Sequence, residues 1–196
     1  MENLITLTVR STYFYLIDLG RGKLLVDAGW ELPAFAAQLK AYKIPFSDIR
    51  YVMFTHHHPD HAGLVQNVRS LSGAKLIIHE KQIPYLENLR AYAEKKGGYE
   101  PIRVDSNTLI SPGREALAAI GIQGEIVETP GHSEDSISLA LDSGAAFIGD
   151  LPMWNYLMDE DQQAAARESW RKLIALGART FYHSHTPPIS VEQVAV

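Results

Sequence analysis

The 196-residue chain is 46% hydrophobic and 21% charged, the balance of an ordinary globular protein long enough for a substantial core. A formal net charge of -5 argues against nucleic acid or an acidic membrane surface as a partner, and no stretch reaches the roughly 20 apolar residues that span a bilayer. Cysteine is absent, which excludes disulfides and thiolate ligands; Met1–Thr6 shows no basic-then-apolar leader, so a cytoplasmic protein is expected.

Ile5, Leu7 and Val9 alternate with Thr6 and Thr8, the two-residue period of a half-buried strand. Strands over Tyr13–Leu19 and Lys23–Val26 follow, joined at Gly20-Arg21-Gly22 as a hairpin. Asp27-Ala28-Gly29 ends the third strand. Pro33 opens a helix reaching about Tyr42, with Phe35, Leu39 and Tyr42 on one face. Tyr51–Phe54 is again of strand type, and Leu64, Val65, Val68 and Leu71 then recur at helical spacing.

Between those two elements lies Thr55-His56-His57-His58-Pro59-Asp60-His61, which reads H-x-H-x-D-H on a strand-to-helix turn. Such a turn converges several side chains on one point, which neither a strand nor a helix alone would do. Imidazole nitrogen and carboxylate oxygen suit zinc, iron, manganese or cobalt. So many ligands cannot crowd one tetrahedral ion that must also hold water, so two ions are expected. The competing reading is a polar, His-rich surface loop.

Lys75–His79 forms a short buried strand, residues 84 to 96 a helix stopped at Gly97-Gly98, and Gly97 to about Gly113 an irregular stretch of the kind that is functional or mobile. Arg114–Ile120 fits either a short helix or a turn. Strands follow at Glu125–Glu128, Ile137–Leu141 and Ala145–Ile148, leading into Thr129-Pro130-Gly131-His132 and Gly149-Asp150. Asp159 and Gln162 pattern as a capping box for a helix bearing Trp170, Leu173 and Ile174 and closing at Gly177. Thr180–Tyr182 is a last strand before His183-Ser184-His185-Thr186-Pro187. No fixed-period repeat or linker interrupts residues 1–196, so a single domain of α/β class is expected.

The H-x-H-x-D-H run, followed in order by His132, Asp150 and His185, each just beyond an apolar run, resembles the metallo-β-lactamase-fold hydrolase superfamily. The resemblance spans about Leu4 to Ile189. It implies a four-layer αββα sandwich with its site where the strands end. Carried over, it puts His56, His58 and His132 on one metal ion, Asp60, His61 and His185 on a second, and Asp150 between both. It further implies two divalent ions, zinc first and iron or manganese as alternatives, with a bridging hydroxide as the attacking group and Asp60 as the catalytic carboxylate that helps move a proton. In the superfamily an Asp at the place of Asp27 supports a ligand from behind; an ordinary turn residue is the other reading. His57 is either a supporting or a solvent residue, and His79 either a packing or a site residue. His183 competes with His185, where Thr186-Pro187-Pro188 favours the latter.

The resemblance implies a small-molecule ester, lactone or thioester as substrate. Glutathione-thioester enzymes and nucleases of the superfamily carry added domains, secreted β-lactamases generally lack the bridging Asp, and lactonases place a Tyr after it, where this chain has Trp154 and Tyr156. Met153, Trp154, Tyr156, Leu157 and Met158 read either as core packing or as a substrate-facing patch. A phosphodiesterase on the same ions and a metal-bearing sensor with little turnover are the alternative functions.

Overall fold

A computed structural model describes residues 4–157 and 163–194. The chain clusters into two compact units, Met1–Ser111 and Pro112–Val196. Each has its own sheet and its own apolar core.

The first unit holds strands β1 (Leu4–Val9), β2 (Thr12–Asp18), β3 (Lys23–Val26), β4 (Ile49–Met53), β5 (Lys75–Ile78) and β6 (Thr108–Ile110), hydrogen-bonded in that order. The first three are antiparallel and β3 through β6 run parallel. At the β2–β3 hairpin the Lys23 ammonium, 2.8 Å away, and then the Gly20 amide hold the Asp18 carboxyl below its usual pKa. Helices α1 (Leu32–Ala41), α2 (Pro59–Ala62), α3 (Val65–Ser72) and α4 (Leu86–Lys96) connect the strands. Phe35 and Leu39 of α1 and Val65 and Val68 of α3 are buried in the core with Leu7, Phe14, Leu25, Val52 and Leu76. Tyr42 and Leu71, expected on those apolar faces, are instead half exposed. Each lies in or just past the last turn of its helix, where the face leaves the core.

The second unit holds α5 (Arg114–Ala119), β7 (Gly124–Glu128), β8 (Ile137–Leu141), β9 (Ala145–Gly149), α6 (Ala164–Ala175), β10 (Thr180–His183) and β11 (Ile189–Ser190). The sheet order is β11-β10-β9-β8-β7, with β9 and β10 parallel and the other neighbours antiparallel. Trp170 and Leu173 of α6 are buried against Ala146, Ile148 and Phe181. The Trp170 indole N–H donates to Pro152 O at 2.8 Å, which satisfies its one polar atom. Gly177, at φ 90°, ends the helix.

Of the two readings of Arg114–Ile120, the structure shows a short helix, Arg114–Ala119, with Ile120 as its C-cap. The stretch after Gly97 is not wholly irregular, because Thr108–Ile110 adds a parallel strand to β5. Nor is it loose: Arg69 donates to Arg103 O at 2.6 Å and Asp105 Oδ1 at 2.9 Å, and Asn67 Oδ1 accepts from the Glu100 amide at 3.1 Å. Polar side chains of α3 thereby satisfy a backbone that has no ladder of its own. The Asp159–Gln162 capping box and Met158 lie outside the described residues. Among the described residues, no helix is long and apolar enough to cross a membrane.

Candidate metal centre

In the first unit β3, β4 and β5 are parallel, so their carboxyl ends share one sheet edge, the place where α/β proteins put ligands. Asp27 follows β3, the His56–His61 run follows β4, and His79 follows β5. Pro59 starts α2 with its φ already helical, and this single turn carries Asp60 and His61. The turn is sewn to the end of β3: the Ala28 amide donates to His61 O at 2.8 Å and the Leu64 amide to Gly29 O at 2.8 Å.

Asp27, His56 and His61 are fully buried. Asp27 sits at φ 60°, a left-handed conformation that Asp tolerates better than most residues. Its Oδ1 accepts from the Thr55 amide at 2.7 Å, and its Oδ2 lies 2.9 Å from His61 Nδ1. Of the two readings of Asp27, the supporting one requires a hydrogen bond to an expected ligand, and the bond to His61 Nδ1 is present. With Nδ1 of His61 occupied from behind, Nε2 lies 3.5 Å from Asp60 Oδ2. His56 Nε2 lies 3.0 Å from His58 Nδ1.

In the second unit β9 and β10 are parallel, so Asp150 and His185 leave the sheet at one edge. Asp150 Oδ2 is 3.6 Å from His132 Nε2 and 3.3 Å from His185 Nε2. The His132 loop is held by three ties. The Thr129 amide donates to Ser136 O at 2.9 Å, Ser169 of α6 donates to Pro130 O at 2.8 Å, and Gly131 rests so close to Ala166 that a Cβ there would come within 2.7 Å.

The remaining histidines have other surroundings. His57 turns its ring to Tyr85, with centroids 4.9 Å apart. His79 caps a 3-10 turn, its Nδ1 accepting from the Lys81 amide at 3.3 Å. Buried His183 accepts the His185 amide on Nδ1 at 2.9 Å, and so orients the backbone of its neighbour. Leu157 is buried and Met153 and Trp154 pack against the α6 core, whereas Tyr156 is exposed. Two participants were missed from sequence. Thr55 touches Asp27 and both buried imidazoles; a hydroxyl flanking a His-rich turn was the signal for it. Gln82, buried, donates to Phe54 O at 2.9 Å and accepts from the His79 amide at 3.0 Å, and nothing in its sequence context marks it.

Two donors on one tetrahedral ion, with bonds of about 2.0–2.1 Å, stand about 3.3 Å apart. The ring-nitrogen and carboxylate pairs above, at 3.0, 3.3, 3.5 and 3.6 Å, have that spacing, and all are the nitrogen and oxygen donors that suit borderline divalent metals. The residues fit such ions.

An α/β chain with ligand-type residues at its strand ends in both sheets is a metal-binding protein of mixed two-sheet fold. The chain belongs to the metallo-beta-lactamase superfamily, whose pattern it matches over residues 7–185. It is 30% identical over 192 residues to beta-lactamase-like protein 2 homolog of Caenorhabditis elegans, covering 95% of this chain and 60% of that protein. Among solved structures it resembles metallo-beta-lactamase family protein TTHA1429 of Thermus thermophilus at TM-score 0.73 and 25% identity, over 100% of this chain and 77% of the other. TTHA1623, solved in a di-iron-bound form, matches at TM-score 0.72 and 20% identity, over 97% of this chain and 95% of the other. The chain spans about half to three fifths of the length of the first curated relatives it matches. Its own length therefore carries no weight in choosing among the superfamily's substrates.

Proposed function

We propose that the chain is a dinuclear metal-dependent hydrolase of a small ester, lactone or thioester, working in the cytoplasm. His56, His58 and His132 would hold one ion and Asp60, His61 and His185 the other, with Asp150 shared between them. The observation that carries this reading is the spacing of the donor pairs within each unit, each close to the edge of a coordination sphere. When bound, the ions supply an acidified water near neutral pH and a Lewis acid toward the scissile carbonyl. The chain's own residues fix the imidazoles from behind through Asp27 and Thr55. Asp60, about one-fifth exposed, is a carboxylate open enough to pass a proton to the leaving group on its other oxygen while Oδ2 faces the ion. Zinc suits these donors first; iron, present in the TTHA1623 structure, and manganese suit them as well.

Metal analysis and a substrate panel test this together. The purified chain is expected to hold near two transition-metal ions. Its kcat/KM is expected to be higher for p-nitrophenyl acetate or a simple lactone than for bis-p-nitrophenyl phosphate, because a net charge of -5 disfavours phosphate anions. A folded preparation that takes up at most one ion after reconstitution defeats the dinuclear reading. A preference for the phosphodiester makes the protein a phosphodiesterase, and full metal with no turnover on any of the three makes it a sensor.

A further inference from the structure

Thr55 is 1% exposed and lies between Asp27 and two imidazoles. Its Oγ1 is 3.0 Å from Asp27 Oδ2 and 3.2 Å from Asp27 Oδ1, 3.2 Å from His56 Nδ1 and 3.4 Å from His61 Nδ1. A carboxylate only accepts, so the single hydroxyl hydrogen of Thr55 goes to Asp27. With that hydrogen committed, Oγ1 has only lone pairs to offer His56, and His56 Nδ1 must carry its own hydrogen. Asp27 Oδ2, 2.9 Å from His61 Nδ1, requires the same of that ring. Both rings then present Nε2 as a bare lone pair, the form in which imidazole binds a metal. His56 Nε2 is the atom facing His58, and His61 Nε2 the atom facing Asp60.

We propose that Thr55 is a positioning residue whose hydroxyl sets the tautomer of His56 and ties it, through Asp27, to the tautomer of His61. On the dinuclear reading above, on which this rests, those two rings serve different ions. One buried hydroxyl therefore links a ligand of each ion, and its loss should be felt first at the ion that His56 holds. His61 keeps its direct carboxylate partner.

Thr55→Val keeps the shape and removes the hydroxyl, and Thr55→Ser keeps the hydroxyl and removes the methyl. Long-range proton–nitrogen NMR correlation on the metal-free chain reports each ring's tautomer. Titration of the metal-free chain with zinc against a chromophoric chelator reports each binding step. The wild type should show hydrogen on Nδ1 of His56 and His61. Thr55→Val should lose that state at His56 while keeping it at His61, and should weaken one binding step by about 10–100-fold, the usual cost of removing a partner behind a metal ligand. Thr55→Ser should restore the tautomer and bring affinity back to within a few-fold. Hydrogen on Nε2 of His56 in the wild type overturns the proposal without any variant. So does a Thr55→Ser chain as impaired as Thr55→Val, which would assign the effect to packing. Should Thr55→Val not fold, Thr55→Ala and the wild-type tautomer decide the matter by the same readings. A wild type that takes up fewer than two ions, with the His56 tautomer as stated, would fail the dinuclear reading and leave the positioning role standing.

Discussion

Asp60→Asn is expected to fold normally, to bind one ion in place of two and to lose catalytic turnover. The substitution keeps the shape of the side chain and removes the anionic oxygen that lies 3.5 Å from His61 Nε2. Partners that only support a ligand already cost about 10–100-fold in metal affinity or activity when lost, so loss of a ligand charge should exceed about 100-fold in the affinity of the second ion. His57→Ala is the matched contrast. His57 lies three positions away on the same turn, but its ring faces Tyr85 at 4.9 Å and is not among the proposed ligands. Its metal content should stay at the wild-type value, with rate loss within the range for supporting residues. Metal analysis and kcat/KM on the two variants decide the point. Equal metal loss in both, or loss in His57→Ala alone, would mean that this stretch has been misassigned.

The contrast also separates what could be read from the chain and what could not. The ligand-type residues were legible because each follows an apolar run, and an apolar run that ends in a polar turn marks the carboxyl end of a strand. The residues behind them were less so. Asp27 in Asp-Ala-Gly has the composition of any turn; only its burial and its bonds to Thr55 and His61 distinguish it. Gln82 braces the end of β4 from a segment 28 residues away, and no local pattern encodes a contact of that separation. β6 and β11 were invisible for another reason: three residues and two residues are too short to show a period, and partner strands define them. His79 and His183 looked like candidate ligands by type alone. Their Nδ1 atoms accept backbone amides, a local role that composition cannot reveal.

Gly63→Ala is expected to be among the most damaging single-methyl additions in the first unit. Gly63 has an ordinary helical φ of -54°, so glycine is not required there by backbone conformation. It is required by proximity. A Cβ at this position would stand 2.4 Å from Pro59 O and 2.8 Å from Gly29 O, and both are backbone atoms that cannot rotate aside. Those carbonyls already accept the Gly63 and Leu64 amides at 2.9 and 2.8 Å, the bonds that close α2 and fasten it to the end of β3. The methyl must therefore push the turn bearing Asp60 and His61 away from Asp27, and His61 loses the alignment of its 2.9 Å contact. Overpacking of this kind costs about 1–3 kcal/mol, or roughly 2–12 °C in midpoint for a chain of this size. Zinc affinity of the ion assigned to Asp60 and His61 should fall with it. Gly73→Ala is the control, because Gly73 has φ 74° but open space around its missing Cβ. Backbone strain of about 1–2 kcal/mol should lower its midpoint while both zinc-binding steps stay intact. Thermal unfolding and zinc titration of the two variants separate the outcomes. Intact binding in Gly63→Ala would show that the turn can give way without moving its ligands, and that the contact with Gly29 matters to stability alone.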